Sequence, residues 1–358
     1  MALEALAPLL TQIILYFAAF LIVTLSLNLE VGYAGIAQFG RVLAVLTGAV
    51  VAGAIPGRIL AYMMGMPYGA EYANHLINFK IVNTITNELL TPNPLLSIGM
   101  FIFTLALAAL LGGIVGFICS YPALRLKEAY LGITLLAFGD ALQAFIWNYD
   151  PIAGATQGIN IPDFYRWVGA GAPRFYAATI TMLGIAILVY ILIDAIGRAP
   201  YGRALKAMRD SEVAAAVYGK DIAGLRGRTL IVGGAIAAIG GALWTMYSLS
   251  FKAITFNRLT WTFWPWAFMM LGGTGNNFGV LIGTFIFSTA RTLIFTYKEL
   301  LTQVIPISPQ WLEYILVGTA IVVIALLRPQ GIIPEKPALT LKREEIIEIK
   351  ERVRSRSK

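Results

Sequence analysis

The sequence predicts an all-α polytopic membrane protein, and three observations carry that prediction. Of the 358 residues, 58% are hydrophobic and only 13% are charged. The mean hydropathy is +0.75. The apolar residues also fall in runs of about 20, the length needed to cross a bilayer as a helix. A soluble domain carries about 25% charged residues, so this chain cannot cover its surface in water.

Taken in order, the apolar runs occupy 9–27, 34–55, 95–119, 129–147, 176–196, 229–249, 263–272 joined to 277–297, and 311–327, which predicts about 8–10 transmembrane helices. Ala, Gly, Leu and Ile dominate them, a composition suited to close helix packing in lipid. GYAGIAQFG near 32–40 and GGTGNNFG near 272–279 are alike in kind. Each is a glycine break that opens an apolar helix, one in each half of the chain, as expected of a transporter with pseudo-repeated halves.

The net charge of +8 is confined to two places. Residues 197–228 hold seven Lys/Arg against three acids, and 328–358 hold nine against five. Lying between or after apolar runs, these are the positive-inside signal, which puts both segments in the cytosol. Arg125 and Lys127 mark a third cytosolic turn. The charge-balanced 56–94 and 148–175 segments are expected outside. The side on which the N-terminus lies depends on whether 34–55 crosses fully, which charge counting leaves open. A nucleic-acid role is excluded by the lack of an aromatic-studded basic face. The single cysteine, Cys119, sits in an apolar run as a packing residue. The single His75 has no partner with which to hold a metal. No metal set, aspartate dyad or serine–histidine arrangement appears, so the chain reads as no enzyme.

Residues 200–219 are the most informative. Pro200 suits a helix start. Ala204, Leu205, Met208, Val213, Ala216 and Val217 recur at helical spacing among charges, and Gly219 ends the run. This is an amphipathic helix outside the bilayer, fit either to lie on the membrane surface or to dock in a partner's groove. Within the bilayer, Asp140 is a candidate for function by default, with Gln143 less than a turn later. It could meet a substrate amine, pair with a base such as Arg41, relay protons, or simply bond helix to helix. Arg41 itself either snorkels, pairs, or lines a pathway. Trp147, Trp167, Trp261, Trp264, Trp266 and Trp311 fall near span ends, as in an aromatic belt.

The stretch Asp210-Ser-Glu-Val-Ala-Ala-Ala-Val-Tyr-Gly219, preceded by Gly202-Arg-Ala-Leu205, resembles the cytoplasmic coupling loop of ABC importer permeases, above all the branched-chain amino acid class, the LivM-like permeases. Further pieces of that resemblance are Asn28-Leu29 with Gly32-Tyr-Ala-Gly35, Leu124-Arg-Leu126 leading to Thr134-Leu-Leu-Ala-Phe-Gly139, Gly154 to Ile159, Leu271-Gly-Gly273 with Gly275, Gly279 and Gly283, and Arg328-Pro-Gln-Gly-Ile332. They cover about residues 20–335. The run Ile36 to Arg41 and the long 56–94 segment depart from the family pattern.

The resemblance implies a permease domain over 1–335, with the coupling loop at 197–228 and a charged cytosolic tail at 336–358. It implies an importer of branched-chain or related amino acids in the cell membrane, with the C-terminus cytosolic. Its partners would be two ABC ATPase subunits, a second permease subunit and an extracytoplasmic substrate-binding protein. ATP and Mg would sit on the ATPases, since this chain has no phosphate loop of its own. Arg203, Arg209, Glu212, Ala214, Ala215 and Gly219 would couple to the ATPase. Gln38, Arg41, Asp140, Gln143, Gly273 and Gly275 are the pathway candidates. The competing expectation is an ion-coupled secondary transporter of small polar solutes, which would need more intramembrane carboxylates than Asp140 and no docking helix.

Overall fold

The structure is a computed structural model that describes residues 2–126, 128–299, 308–328, 330–335 and 346–350. Lys127, Pro329 and most of the 336–358 tail lie outside the described residues. Among the described residues almost everything is helix, apart from one two-residue strand pair, Ile159–Asn160 with Ser250–Phe251.

The helices are α1 (Ala2–Leu27), α2 (Arg41–Ala54), α3 (Pro56–Met63), α4 (His75–Thr84), α5 (Pro94–Arg125), α6 (Glu128–Asn148), α7 (Asp150–Ala153), α8 (Ala172–Arg198), α9 (Pro200–Asp210), α10 (Glu212–Val217), α11 (Ile222–Ser248), α12 (Trp264–Gly272), α13 (Asn277–Thr296) and α14 (Pro309–Leu327). Among the described residues, seven helices are long and apolar enough to cross a membrane, over Ala7–Tyr33, Arg41–Met63, Pro94–Arg125, Ala129–Asn148, Ala172–Arg198, Ile222–Ser248 and Asn277–Thr296. The nineteen residues of α14 form a further helix of spanning length, about 28 Å at 1.5 Å per residue. α12 is a short helix extended at its start by a π-turn over Leu259–Phe263.

α11 is the centre of the bundle. It packs most extensively on α5 and α2, and α1 covers its other side. The reason lies in its small residues. Gly48 of α2 faces the backbone of Ala238, and Gly112 and Gly116 of α5 face Gly234 and Leu230. Without Cβ atoms the backbones come close enough for dispersion contacts to replace the hydrophobic drive that lipid does not supply. Gly48→Val would push its side chain into the Ala238 carbonyl. A loss of about 1–3 kcal/mol is expected, read as a lowered unfolding temperature in detergent.

Three tryptophans assigned by sequence to a belt lie elsewhere. Trp261 and Trp264 are buried, and Trp261 stacks on Phe20 and Phe256 at ring separations of 5.2 and 5.6 Å. Trp266 stacks on Phe39 at 4.7 Å and donates from Nε1 to the Gln38 carbonyl at 2.9 Å. These rings glue α12 to α1 and to the break before α2.

The bundle has two distinct ends. At one end lie α9 and α10. At the other lie α3, α4, α7 and the strand pair, knitted by polar contacts. Arg58 donates to the Pro151 and Ile152 carbonyls at 2.6 and 2.9 Å. Asn78 Oδ1 accepts from the Asn160 amide at 2.7 Å. The buried Asp163 carboxylate accepts from Arg174 Nε at 2.8 Å, and Arg174 also donates to the Tyr247 carbonyl. Tyr72, buried beneath Arg58, has its hydroxyl pKa pushed well above the usual tyrosine range by that burial. The segments 56–94 and 148–175 therefore share one end, opposite α9 and α10. The start of α1 is at that same end, because Pro8, Thr11 and Gln12 border a crevice with Phe175, Tyr176 and Tyr247. The segment 34–55 is a broken crossing, irregular over 34–40 and then helical from Arg41.

Candidate functional site

The run 200–219, expected as one helix, is two. Ser211 leaves the helical region, and its Oγ caps α10 by accepting from the Ala214 amide at 3.3 Å. A serine followed by Glu212 in the first turn is a favoured helix start, so a fresh helix begins there. Gly219 lies just past α10 at φ +74°, a left-handed conformation that glycine adopts without strain.

The split gives α9 and α10 different tasks. On α10, Val213, Val217 and Tyr218 are 77%, 80% and 84% exposed, while Ala215 is buried. Ala214 and Gly219 are exposed beside them. Glu212 faces back to the bundle, accepting at 2.9 Å from Arg226, which also reaches the Ala123 carbonyl at the end of α5. Arg203 is exposed on α9.

Arg209 turns inward instead. Its Nη1 donates to the Gly32 carbonyl at 2.6 Å and to Glu335 Oε2 at 2.7 Å, and its Nε donates to Asp210 at 3.0 Å. Lys206 pairs with the other Glu335 oxygen at 2.7 Å and lies 4.9 Å over the Tyr33 ring. Burial works to lower the Arg209 pKa, but the hydrogen bond and charge of Glu335, with Asp210 behind them, hold it above its ordinary value.

The two glycine breaks that look alike in the sequence meet under Arg209. Asn28 Oδ1 accepts from the Gly275 amide at 2.9 Å, and Asn28 Nδ2 donates to Asn277 Oδ1 at 3.0 Å. A Cβ on Gly32 would stand 2.7 Å from the Gly275 nitrogen, and one on Gly275, itself at φ +82°, would stand 3.1 Å from Arg209 Nη1. Both positions require glycine for this approach. The segment after α14 closes the joint from below. Ile332 and Ile333 donate to the Leu271 and Gly272 carbonyls at 2.8 and 3.0 Å, and Asn276 Nδ2 donates to the Pro334 carbonyl at 3.1 Å. Gly273, at φ +125°, packs against Ile333 and Gly331. A polar-walled groove of about 430 Å³ opens beside the joint, lined by Gly35, Ala37, Arg125, Arg209, Ser211 and Glu212 among others.

Deeper in, Arg41 is fully buried and ion-paired with Glu30, and it donates to the Gly233 carbonyl at 2.9 Å. It neither snorkels nor meets Asp140. Its partner Glu30 was missed by sequence because the first apolar run reads as ending at residue 27, whereas the helix continues as a π-turn over Asn28–Tyr33. Gln38 is buried and accepts from the Gly40 amide at 3.0 Å. Asp140 instead pairs with Arg258 at 2.9 Å, with both side chains near half exposed. Gln143, a turn away, donates to the Ala253 carbonyl at 3.1 Å. Arg258, Asn277 and Glu335 carry no local sign of a role, since their partners are more than 100 residues away in sequence.

The family described as the permease component of the branched-chain amino acid transport system matches residues 9–325. This chain belongs to that family. The permease is 39% identical over 334 residues to a probable branched-chain amino acid transport permease protein LivM of Methanocaldococcus jannaschii, covering 93% of this chain and 95% of that one. It is 24% identical over 310 residues to the high-affinity branched-chain amino acid transport system permease protein LivM of Escherichia coli, covering 79% of this chain and 67% of the relative. The Salmonella typhimurium protein of the same description is 25% identical over the same length. No solved structure matches. The permease is thus a multi-pass membrane protein of transport, and among its described residues no group of His, Cys, Asp and Glu is placed to hold a metal.

Proposed function

We propose that this permease is the transmembrane subunit of an ATP-driven ABC importer and forms the pathway for branched-chain or related amino acids. It works with two ATPase subunits that bind ATP and Mg, a second permease subunit and an external binding protein. The observation that carries this reading is the two-faced α9–α10 unit. Three large apolar side chains, Val213, Val217 and Tyr218, stand free at one end of the molecule. A monomeric protein gains nothing by such exposure, and an apolar patch rimmed by charge marks a docking site. Behind it, Arg209 ties the same unit to both glycine breaks. A push on α10 therefore reaches the helix breaks without crossing flexible chain.

With α9 and α10 in the cytosol, as the positive-inside rule requires, the segment after α14 is also cytosolic and the start of α1 is external. Residues 1–335 then act as one permease domain.

The test is Val217→Asp. Because Val217 touches little of its own chain, the unfolding temperature should not change. Co-purification of the ATPase should fall about tenfold, as for an interface anchor worth about 1.4 kcal/mol or more. Undiminished co-purification together with undiminished uptake would refute the docking role.

A further inference from the structure

The Asp140–Arg258 pair is out of place on a lipid-facing surface. Asp140 lies eight residues before the end of α6, so it sits about 12 Å below that end, inside the hydrocarbon depth. Arg258 reaches it from the segment 252–258, a 3-10 turn over Ala253–Thr255 followed by irregular chain at Phe256 and Asn257, which leads from the strand pair to the π-turn before α12. The segment is anchored at that depth. Gln143 holds the Ala253 carbonyl, Trp261 Nε1 donates to the Thr255 carbonyl at 3.2 Å, and Asn257 Oδ1 accepts from the Thr260 amide. Yet Ile254 is 55% exposed, and the Asp140 and Arg258 side chains are 40% and 52% exposed. Irregular backbone and charges survive at this depth only against protein or a water-filled cavity, not against lipid. The wall beside Asp140 is also open, since Ala137, Ala141 and Ala144 are small and exposed.

We propose that Asp140 and Arg258 form the polar anchor for the headgroup of a zwitterionic α-amino acid in the pathway. This rests on the importer reading above. The chemistry matches group for group. The Arg258 guanidinium presents a planar fork for the α-carboxylate, and the Asp140 carboxylate accepts from the α-ammonium. The two are one salt bridge when empty, so the empty site carries no net charge in the membrane. A zwitterion inserted between them replaces one ion pair by two and again adds no net charge. A free carboxylic acid or a free amine would leave one protein charge unpaired at membrane depth, which the site penalises. The headgroup is thereby fixed while the side chain remains for the apolar surroundings to select.

The experiment uses the assembled transporter in proteoliposomes, with radiolabelled L-leucine and the binding protein outside and ATP inside. Wild-type uptake is measured first for leucine, isoleucine, valine and a panel of other α-amino acids, and its absence for all of them refutes the importer reading rather than the anchor. Given wild-type uptake, Asp140→Asn and Arg258→Gln should each lower it about tenfold or more, the worth of a charge-assisted hydrogen bond. The second permease should still co-purify, and the unfolding temperature should fall only slightly, since the pair is about half exposed. The exchanged double variant D140R/R258D restores the ion pair but inverts the headgroup site, so it should remain defective for L-leucine. Recovery of uptake in the exchanged variant would show a merely structural pair and overturn the anchor. Loss of the second permease from the single variants would place the pair in a subunit interface and overturn it too, as would uptake undiminished in both.

Discussion

Replacing Arg41 by Met should unfold this permease in detergent under conditions where the parent stays monodisperse. The guanidinium is fully buried, it neutralises Glu30, and it bonds the Gly233 carbonyl of α11. Removing it leaves a carboxylate uncompensated in the tightest part of the bundle, where α1, α2 and α11 converge. Breaking a buried pair in this way costs about 3–5 kcal/mol, against a total stability of about 5–15 kcal/mol for typical domains. The double variant Glu30→Leu with Arg41→Met should regain most of the loss, because buried pairs replaced by apolar residues of similar volume are often neutral. Thermal unfolding of the parent and the two variants decides it. An Arg41→Met protein as stable as the parent would mean that Glu30 finds protonation or water sufficient, and the pair would then have no structural role.

The second large effect is on transmission. Arg209→Ala should leave the ATPase docked, since the exposed face of α10 is untouched, but should cut uptake per ATP hydrolysed by about tenfold or more. A coupling free energy between sites of about 1–3 kcal/mol corresponds to 5–150-fold. Arg209 supplies the bonds to the Gly32 carbonyl and to Glu335, and no other described side chain touches both. Arg209→Lys should rescue only part, because one ammonium can donate to both Gly32 and Glu335 as Nη1 does, but it loses the Nε and Nη2 contacts to Asp210 that set the guanidinium's position. Proteoliposomes with uptake and phosphate release measured on the same sample give the ratio directly. An unchanged ratio would show that α9 moves the breaks through its apolar packing, by Leu205 and Met208, rather than through this guanidinium.

Much of the architecture was legible because it follows from composition along the chain. Apolar runs mark the helices, the charged segment 197–228 marks one end, and the glycine breaks mark where helices stop. The interior polar pairs were not legible, for physical reasons particular to each. Glu30 sits where a π-turn prolongs a helix, a change that hydropathy does not register. Arg41 has two acids within plausible reach by type, and only the fold brings it to Glu30 rather than Asp140. Asn28 and Asn277 meet across 249 positions of sequence. Trp261 and Trp264 carry the residue type of an interfacial belt but are drawn inward by Phe20 and Phe256. Ser211 reads equally well as a polar residue within a helix or as the start of a new one, and its cap decides for the second.

The strap 330–335 has a consequence for biosynthesis. It follows α1–α14 in sequence, yet it supplies the carboxylate that Lys206 and Arg209 share and the backbone that seals the α12–α13 break. Chains are made from the N-terminus, so α9 and both breaks are inserted while their last partner is still on the ribosome. The joint that would carry the stroke therefore closes only after α14 has been made. A chain released before residue 335 would hold α1–α14 but leave Arg209 without Glu335.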